Sequence, residues 1–268
     1  MAKEKVLITV KTYPTYSKSY EELVCTAGFK EDGSFIRIYP IPYRKLDYDS
    51  RYAKYQWIEL DLVKNTSDFR PESYRPVNID NVILGESVGT DNGTWERRKE
   101  ICLRNVYASL DKLIDEAHDQ KIMTSLAVFK PTEVIDVIIE KTDREWPRED
   151  EIAISKEQLL LFPEHKNLEI VKKVPYNFSY KFKDINGRLS TLMISDWEAS
   201  QLYWNCLAKH NDEERACIDV KKKYLDSFRQ KDLYFFLGTT KEFHFKSWNP
   251  FIIIGVFYPV EDLQGKLF

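Results

Sequence analysis

Apolar and polar residues alternate through most of the N-terminal third of the chain. The stretch KVLITVKTY (5–13) alternates and is rich in β-branched residues, which predicts a strand. ELVCTAGF and SFIRIYP are two more strand patterns, separated by a KEDG tetrapeptide. The Asp32-Gly33 pair favours a tight turn, so a hairpin is expected from about Leu23 to Tyr39. YQWIELDLVK (55–64) is the cleanest alternation, with Gln56, Ile58, Leu60 and Leu62 on the expected core face. DNVILGESV (80–88) adds a further strand. Short strands with turn signals and no long helix before Trp95 predict a barrel or a strongly curved sheet.

Between these strands lies an aromatic and basic segment, FIRIYPIPYRKLDYDSRYAKYQW (35–57). Ile36 and Ile38 take one face of its strand, Arg37 and Tyr39 the other. Pro40 and Pro42 lack donors, so the strand is expected to end there. Tyr48, Tyr52 and Tyr55 then follow helical spacing, which predicts a short helix burying them on one side. The next connection, SDFRPESYRP (67–76), is polar and stiffened by prolines at both ends. The loop with Arg70, Glu72, Ser73 and Arg75 is either a rigid connection with a local Arg–Glu pair, or Arg70 and Arg75 grip a phosphate or carboxylate with their planar forks.

Beyond Trp95 the period changes. Thr94 is a plausible cap for a first helix, and Ser109 for a second. Strands are expected on both sides of Pro131, and Pro147 with the charged run after it reads as a linker. Tyr176, Phe178, Tyr180 and Phe182 alternate into a hairpin with its turn at Asn186-Gly187. Two helices follow, about Trp197–Lys209 and Asp212–Lys231. DLYFFLGTT and PFIIIGVFYPV are continuous apolar runs, expected as central strands covered on both faces. The fold class is thus α+β, with a β-rich N-terminal barrel or curved sheet, central helices, and a C-terminal hairpin or sheet with two helices. The expected division is 1–92, 93–165 and 166–268.

Composition narrows the chemistry. A net charge of −3 confines any nucleic-acid site to a local patch. The longest apolar run is strand-length and closed by prolines, so no membrane span is expected and the setting is read as cytoplasmic. The four cysteines lack C-x-x-C spacing and are expected reduced. Cys206 and His210 share a helix face, but two ligands do not make a zinc site, and no metal ligand set or cofactor is predicted. Phosphate-loop, dinucleotide-binding and nucleophile-elbow motifs are absent from the sequence.

The ordered series VKTYPT, GSFIRIYPIPYR, DFRPESYRP, PYNFSYKF, SDWE, FFLGTT and IIIGVFYPV resembles a widespread prokaryotic family without assigned function. The resemblance supplies no catalytic residues. It implies a small Cys/His metal knuckle in some relatives at the turn occupied here by Asp184–Leu189, where this sequence has no ligands.

Three functions remain open at this level. The leading one is a nucleic-acid-binding accessory protein, DNA or RNA, placed by the kind of family in prokaryotic genome maintenance or phage defence. Its groove would be lined by Lys11, Tyr13, Arg37, Tyr39, Tyr43, Arg44, Arg70 and Arg75, combining aromatic stacking with cations. The second is a Mg²⁺-dependent nuclease or related hydrolase using Asp196 and Glu198, with Glu59 or Asp61; Asp196 is equally a natural helix cap. The third is a regulator binding a small nucleotide or a protein partner through the Arg70–Arg75 loop.

Overall fold

The computed structural model describes residues 3–17, 20–41, 43–46, 50–146 and 171–261. The first strand, β1 (Lys3–Lys11), pairs antiparallel with β3 (Tyr20–Lys30), and β3 pairs antiparallel with β4 (Phe35–Ile41). β4 then runs parallel to β6 (Ser73–Pro76). β6 is antiparallel to β5 (Gln56–Lys64), and β5 returns to β1, which closes a five-stranded barrel. A short β2 (Thr15–Ser17) rides on β3, and β7 (Ile83–Ser87) on β5. Val6, Ile8, Ile36, Ile38, Ile58 and Leu60 point inward, as period-two alternation requires. Gly28 of β3 lies so close to β1 that a Cβ would stand 2.2 Å from the Leu7 carbonyl oxygen.

The remainder repeats this order. β9 (Leu126–Phe129) bends through Lys130–Thr132 into β10 (Glu133–Lys141). β10 pairs with β11 (Tyr176–Lys183), and β11 with β12 (Leu189–Met193). Directly after β12, Ile194 bridges in parallel to Ile253 of β14 (Phe251–Phe257), and the Ser195 amide donates to the Ile253 carbonyl at 2.7 Å. β14 pairs with β13 (Tyr234–Thr239), and β13 with β9. β8 (Val106–Tyr107) adds in parallel outside β9. With β9 and β10 counted as one bent strand, both halves have the order 1-2-3-5-4-1 with strands 3 and 5 parallel. That is the Greek-key barrel of the OB fold. The helices α3 (Trp197–His210) and α4 (Glu213–Lys221) fill the connection between the third and fourth strands of the second barrel. Before it stand α1 (Glu96–Cys102) and α2 (Leu110–His118).

Each barrel has its own core, and a third apolar layer joins them. Leu7, Ala27, Phe29 and Trp57 on the outside of the first barrel pack with Val128, Phe236, Ile254 and Phe257 on the outside of the second. β13 thereby feeds two cores: Phe235 and Leu237 face its own barrel, and Phe236 faces the seam. This explains the unbroken apolar run in its sequence. Among the described residues no helix is long and apolar enough to cross a membrane.

Several local expectations are corrected. β4 continues through Pro40 to Ile41, because a bulge between Val24 and Thr26 of β3 lets the register skip the donorless residue. Tyr52 and Tyr55 are buried as expected, but residues 51–53 are irregular, and Tyr55 ends a turn at φ 60°. Tyr48 and Pro42 lie outside the described residues. Thr94 does not cap α1: Trp95 precedes that helix in the left-handed region, and the Asp91 carboxylate accepts from the Arg97 amide at 3.2 Å. Ser109 does cap α2, accepting from the Lys112 amide. The helix expected to reach Lys231 leaves α-geometry after Lys221 and runs as a π-segment over Lys222–Ser227. Pro147 and the charged run after it lie outside the described residues.

Candidate functional site

The OB fold offers one ligand surface by construction: the outer face of strands 2 and 3, flanked by the loops between strands 1 and 2 and between strands 4 and 5. In the first barrel these are β3, β4, and the 65–72 loop that contains DFRPE. Arg37 stands on this face, as alternation predicts, but it is only 3% exposed. Its guanidinium donates to Ser73 Oγ and Ser125 Oγ at 3.0 Å each, and to the Ser125 and Thr239 carbonyls at 3.2 and 3.3 Å. Arg70, 6% exposed, forms a two-pronged pair with Asp68 and donates to the same Thr239 carbonyl. Burial alone would raise the Asp68 carboxyl; the bonds from Arg70 outweigh it and bring the pKa down to about 2. The expected Arg70–Glu72 pair does not form. Glu72 instead accepts from the Ser125 amide at 2.9 Å and its hydroxyl at 2.6 Å. Arg37 and Arg70 are therefore withdrawn as phosphate contacts: they satisfy carbonyls and hydroxyls that the second barrel presents at the seam.

The other expected groove residues scatter. Arg75 is exposed on β6, opposite Val63. Arg44 lies in a turn, its carbonyl accepting from Arg51 at 2.8 Å. Tyr39 lies on β4, its carbonyl near the Asn65 amide. Glu59 and Asp61 lie on β5 opposite Lys5 and Lys3 of β1. Among the described residues no three His, Cys, Asp or Glu side chains gather as a metal site. The nuclease set is thus reduced to Asp196 and Glu198. His210, the other half of the Cys206 pairing, bonds Asp219 at 2.7 Å.

Five candidates do converge, at the opposite end of the seam. Asp196 caps α3 through the Glu198 amide, as the sequence suggests, and is fully buried. Lys54 holds it at 3.1 Å and reaches Glu198 at 3.0 Å. Burial pushes Asp196 up against the pull of Lys54, while the two carboxylates overcome burial to raise Lys54. Beside them Lys11 lies 4.6 Å from the ring of Tyr43 and 6.0 Å from those of Tyr52 and Trp197. Tyr13 meets Trp197 edge-on at 6.4 Å and donates to the Lys172 carbonyl at 2.7 Å.

The corresponding ligand face of the second barrel is β11 and β12. Its outward register pairs are Met193 with Ser179, Thr191 with Lys181, and Leu189 with Lys183. Leu189, Thr191 and Met193 are exposed, Lys181 and Lys183 are half-buried and Ser179 is buried, so among the described residues this face is open along β12. The loop between its fourth and fifth strands, 240–250, carries Phe243 at 49%, Phe245 at 46% and Trp248 at 73% exposure. Three side chains hold it in place. His244 is buried, bonding Thr239 Oγ1 and the Ala117 carbonyl at 2.8 Å each. His118 bonds the Ser247 carbonyl at 3.1 Å, and Arg188 of the β11–β12 turn lies 4.2 Å from the Trp248 ring. Phe69, from the equivalent loop of the first barrel, stacks on Phe245 at 5.0 Å. The signal in sequence was KEFHFKSW, three aromatics spaced by cations in a connection between strands. It was legible as a loop but not as one standing beside an open sheet.

Two family models match the chain: a domain of unknown function, DUF8758, over residues 2–104, and another, DUF8757, over residues 106–268. The second covers more than half of the sequence, and the chain belongs to that family. The junction between the two matches falls just before β8, between the two barrels. A search of curated proteins finds no match. Among solved structures, one described as a murine DNA binding protein bound with ds DNA aligns over 97% of this chain and 95% of its own, at 10% identity and TM-score 0.31. A likeness at that score carries no argument here.

Proposed function

We propose that the chain binds single-stranded nucleic acid on the second barrel, across β11, β12 and the 240–250 loop. The observation that carries this reading is the asymmetry of the two ligand faces: the first is covered by protein, and the second, among the described residues, is open along β12 and edged by exposed, anchored aromatic rings. Phe243, Phe245 and Trp248 would stack bases, which is worth about 1–3 kcal/mol per base and tolerates any sequence. Lys181, Lys183, Arg188, Lys241 and Lys246 would follow the backbone. Three of these already pair with acids, Lys183 with Glu133, Arg188 with Asp111 and Lys246 with Glu242. The net attraction is therefore small, and stacking supplies most of the affinity. Duplex DNA hides the base faces that such a surface reads, so single strands are preferred. An accessory role in prokaryotic genome maintenance or phage defence is a biological setting compatible with this activity, with no residue of its own to support it.

Fluorescence anisotropy with labelled oligothymidine, oligouridine and a duplex of equal length tests the reading. Single strands should bind more tightly than the duplex. Trp248→Ala should weaken that binding by about 1–3 kcal/mol, roughly 5- to 150-fold, at an unchanged melting temperature. Equal binding by wild type and a Phe245→Ala/Trp248→Ala double variant would remove the loop from any such function.

A further inference from the structure

The surroundings of Lys11 fit a free amine better than an ammonium ion. Its Nζ donates to the Tyr43 hydroxyl at 3.2 Å and the Tyr52 carbonyl at 3.3 Å. The Tyr43 hydroxyl spends its own proton on the same carbonyl at 2.6 Å, so its oxygen is free to accept from Lys11. These two acceptors match the two N–H bonds of a neutral amine, and an ammonium would bring a third. Among the described residues Lys11 has no carboxylate partner, because Lys54 stands between it and both acids of α3. The remaining neighbours are the rings of Tyr43, Tyr52 and Trp197, which favour the cation but offer no strong acceptor. With both N–H bonds engaged, the nitrogen lone pair of the neutral form is directed away from the two acceptors. The residue is half-buried.

We infer that Lys11 is a nucleophilic amine that condenses with small aldehydes at the seam between the barrels. A lysine beside a second cation and sheltered by apolar groups is the usual arrangement for such a nucleophile. Burial first, and Lys54 second, bring its pKa down to about 8; Asp196 and Glu198 act in the opposite direction from the start of α3. In the reaction the Nζ lone pair attacks the carbonyl carbon, the nitrogen releases a proton to solvent and the oxygen takes one up. The resulting carbinolamine loses water to leave a C=N bond. The aromatic walls favour a flat, apolar aldehyde over a charged one.

The test is reductive alkylation with benzaldehyde and sodium cyanoborohydride, whose hydride fixes the C=N bond as a secondary amine, followed by peptide mapping. At pH 7.5 Lys11 should be modified on the order of tenfold faster than the exposed Lys112, since a far larger fraction of it is unprotonated. Its rate should level off above about pH 8. Lys11→Met removes the amine without placing a fixed charge in the pocket and should lose the adduct. Modification of Lys11 no faster than Lys112, or with the same pH profile, overturns the inference. Adduct formation at this position is read out separately from oligonucleotide binding, so neither result decides the other.

Discussion

The two barrels present the same surface, strands 2 and 3, to opposite fates. On the first, Ala27, Phe29 and Arg37 are sealed against the second barrel. On the second, Lys181, Leu189, Thr191 and Met193 stand outward with Trp248 at their margin. Sealing is decided by magnitude. Each large apolar side chain in the seam contributes about 1.5–3 kcal/mol when fully buried, and Leu7, Val10, Phe29 and Trp57 all lie there. A stacked base returns about 1–3 kcal/mol, so an oligonucleotide cannot pay to open the first face. Equivalent strands in equivalent folds can thus be glue in one copy and a ligand surface in the other.

The sharpest way to break this comparison is Arg37→Ala. If the first face is structural, the loss should appear in stability and not in binding. Removing the guanidinium takes one donor from each of the Thr239 and Ser125 carbonyls, which keep Arg70 and the Thr239 amide, and leaves the negative charge of Asp68 and Glu72 less balanced. The expected cost is about 3–5 kcal/mol, as for a broken buried charged network, read as a lower midpoint in urea denaturation. Oligonucleotide affinity per folded molecule should be unchanged. A variant that folds normally and binds weakly would restore Arg37 to the functional surface.

That outcome would also vindicate a reading available from sequence, which placed Arg37 and Tyr39 on the outward face of a strand. The alternation was correct, and so was the barrel, because period-two patterning reports which residues point outward. It cannot report what covers them. Arg37 is sealed by Ser125 and Thr239, whose positions lie 88 and 202 residues away in sequence, and nothing local to FIRIYP encodes that. The same limit hid the open face: LSTLM reads as the second strand of a hairpin, and KEFHFKSW falls between two strand patterns with no motif of its own. Only strand order brings the two together. The convergence of Lys11, Tyr43 and Asp196 was partly legible, since each was singled out for its chemistry, but the Lys54 that joins them was counted only as an outward charge.

A smaller effect separates the anchor of the loop from its surface. His244 lies beneath the exposed rings, and burial lowers its pKa; the bond to the Ala117 carbonyl acts upward, Arg70 downward and Glu72 upward, and burial prevails. A base whose folded pKa is depressed costs stability once the unfolded chain begins to take up a proton, near pH 6.5. Stability should therefore be fully present above about pH 7 and decline toward pH 5. His244→Gln keeps a donor and an acceptor but does not titrate. The difference in urea midpoint between wild type and this variant should shrink as the pH falls over that range. A difference that is independent of pH would show that His244 takes up its proton alike in the folded and unfolded chain, and that the fold does not hold it neutral.

The smallest effect tests the open face itself. Lys181 stands outward in register with Thr191, and among the described residues it makes no ion pair. If single strands cross β11 and β12, Lys181→Ala should reduce the slope of log affinity against log salt by about 0.7, the share of one phosphate on a single strand. The loss of affinity should be under about 1 kcal/mol at moderate salt, since an exposed charge is well screened. Arg75→Ala serves as the control, because it removes an exposed cation from β6 of the first barrel, whereas Lys181 is half-buried on β11. The comparison holds if Lys181 changes the slope and Arg75 does not. If Arg75 changes it instead, the strand runs along the first barrel by a route other than its sealed face. If both do, the interface spans the two barrels, and the Phe69–Phe245 stack between their loops becomes its centre.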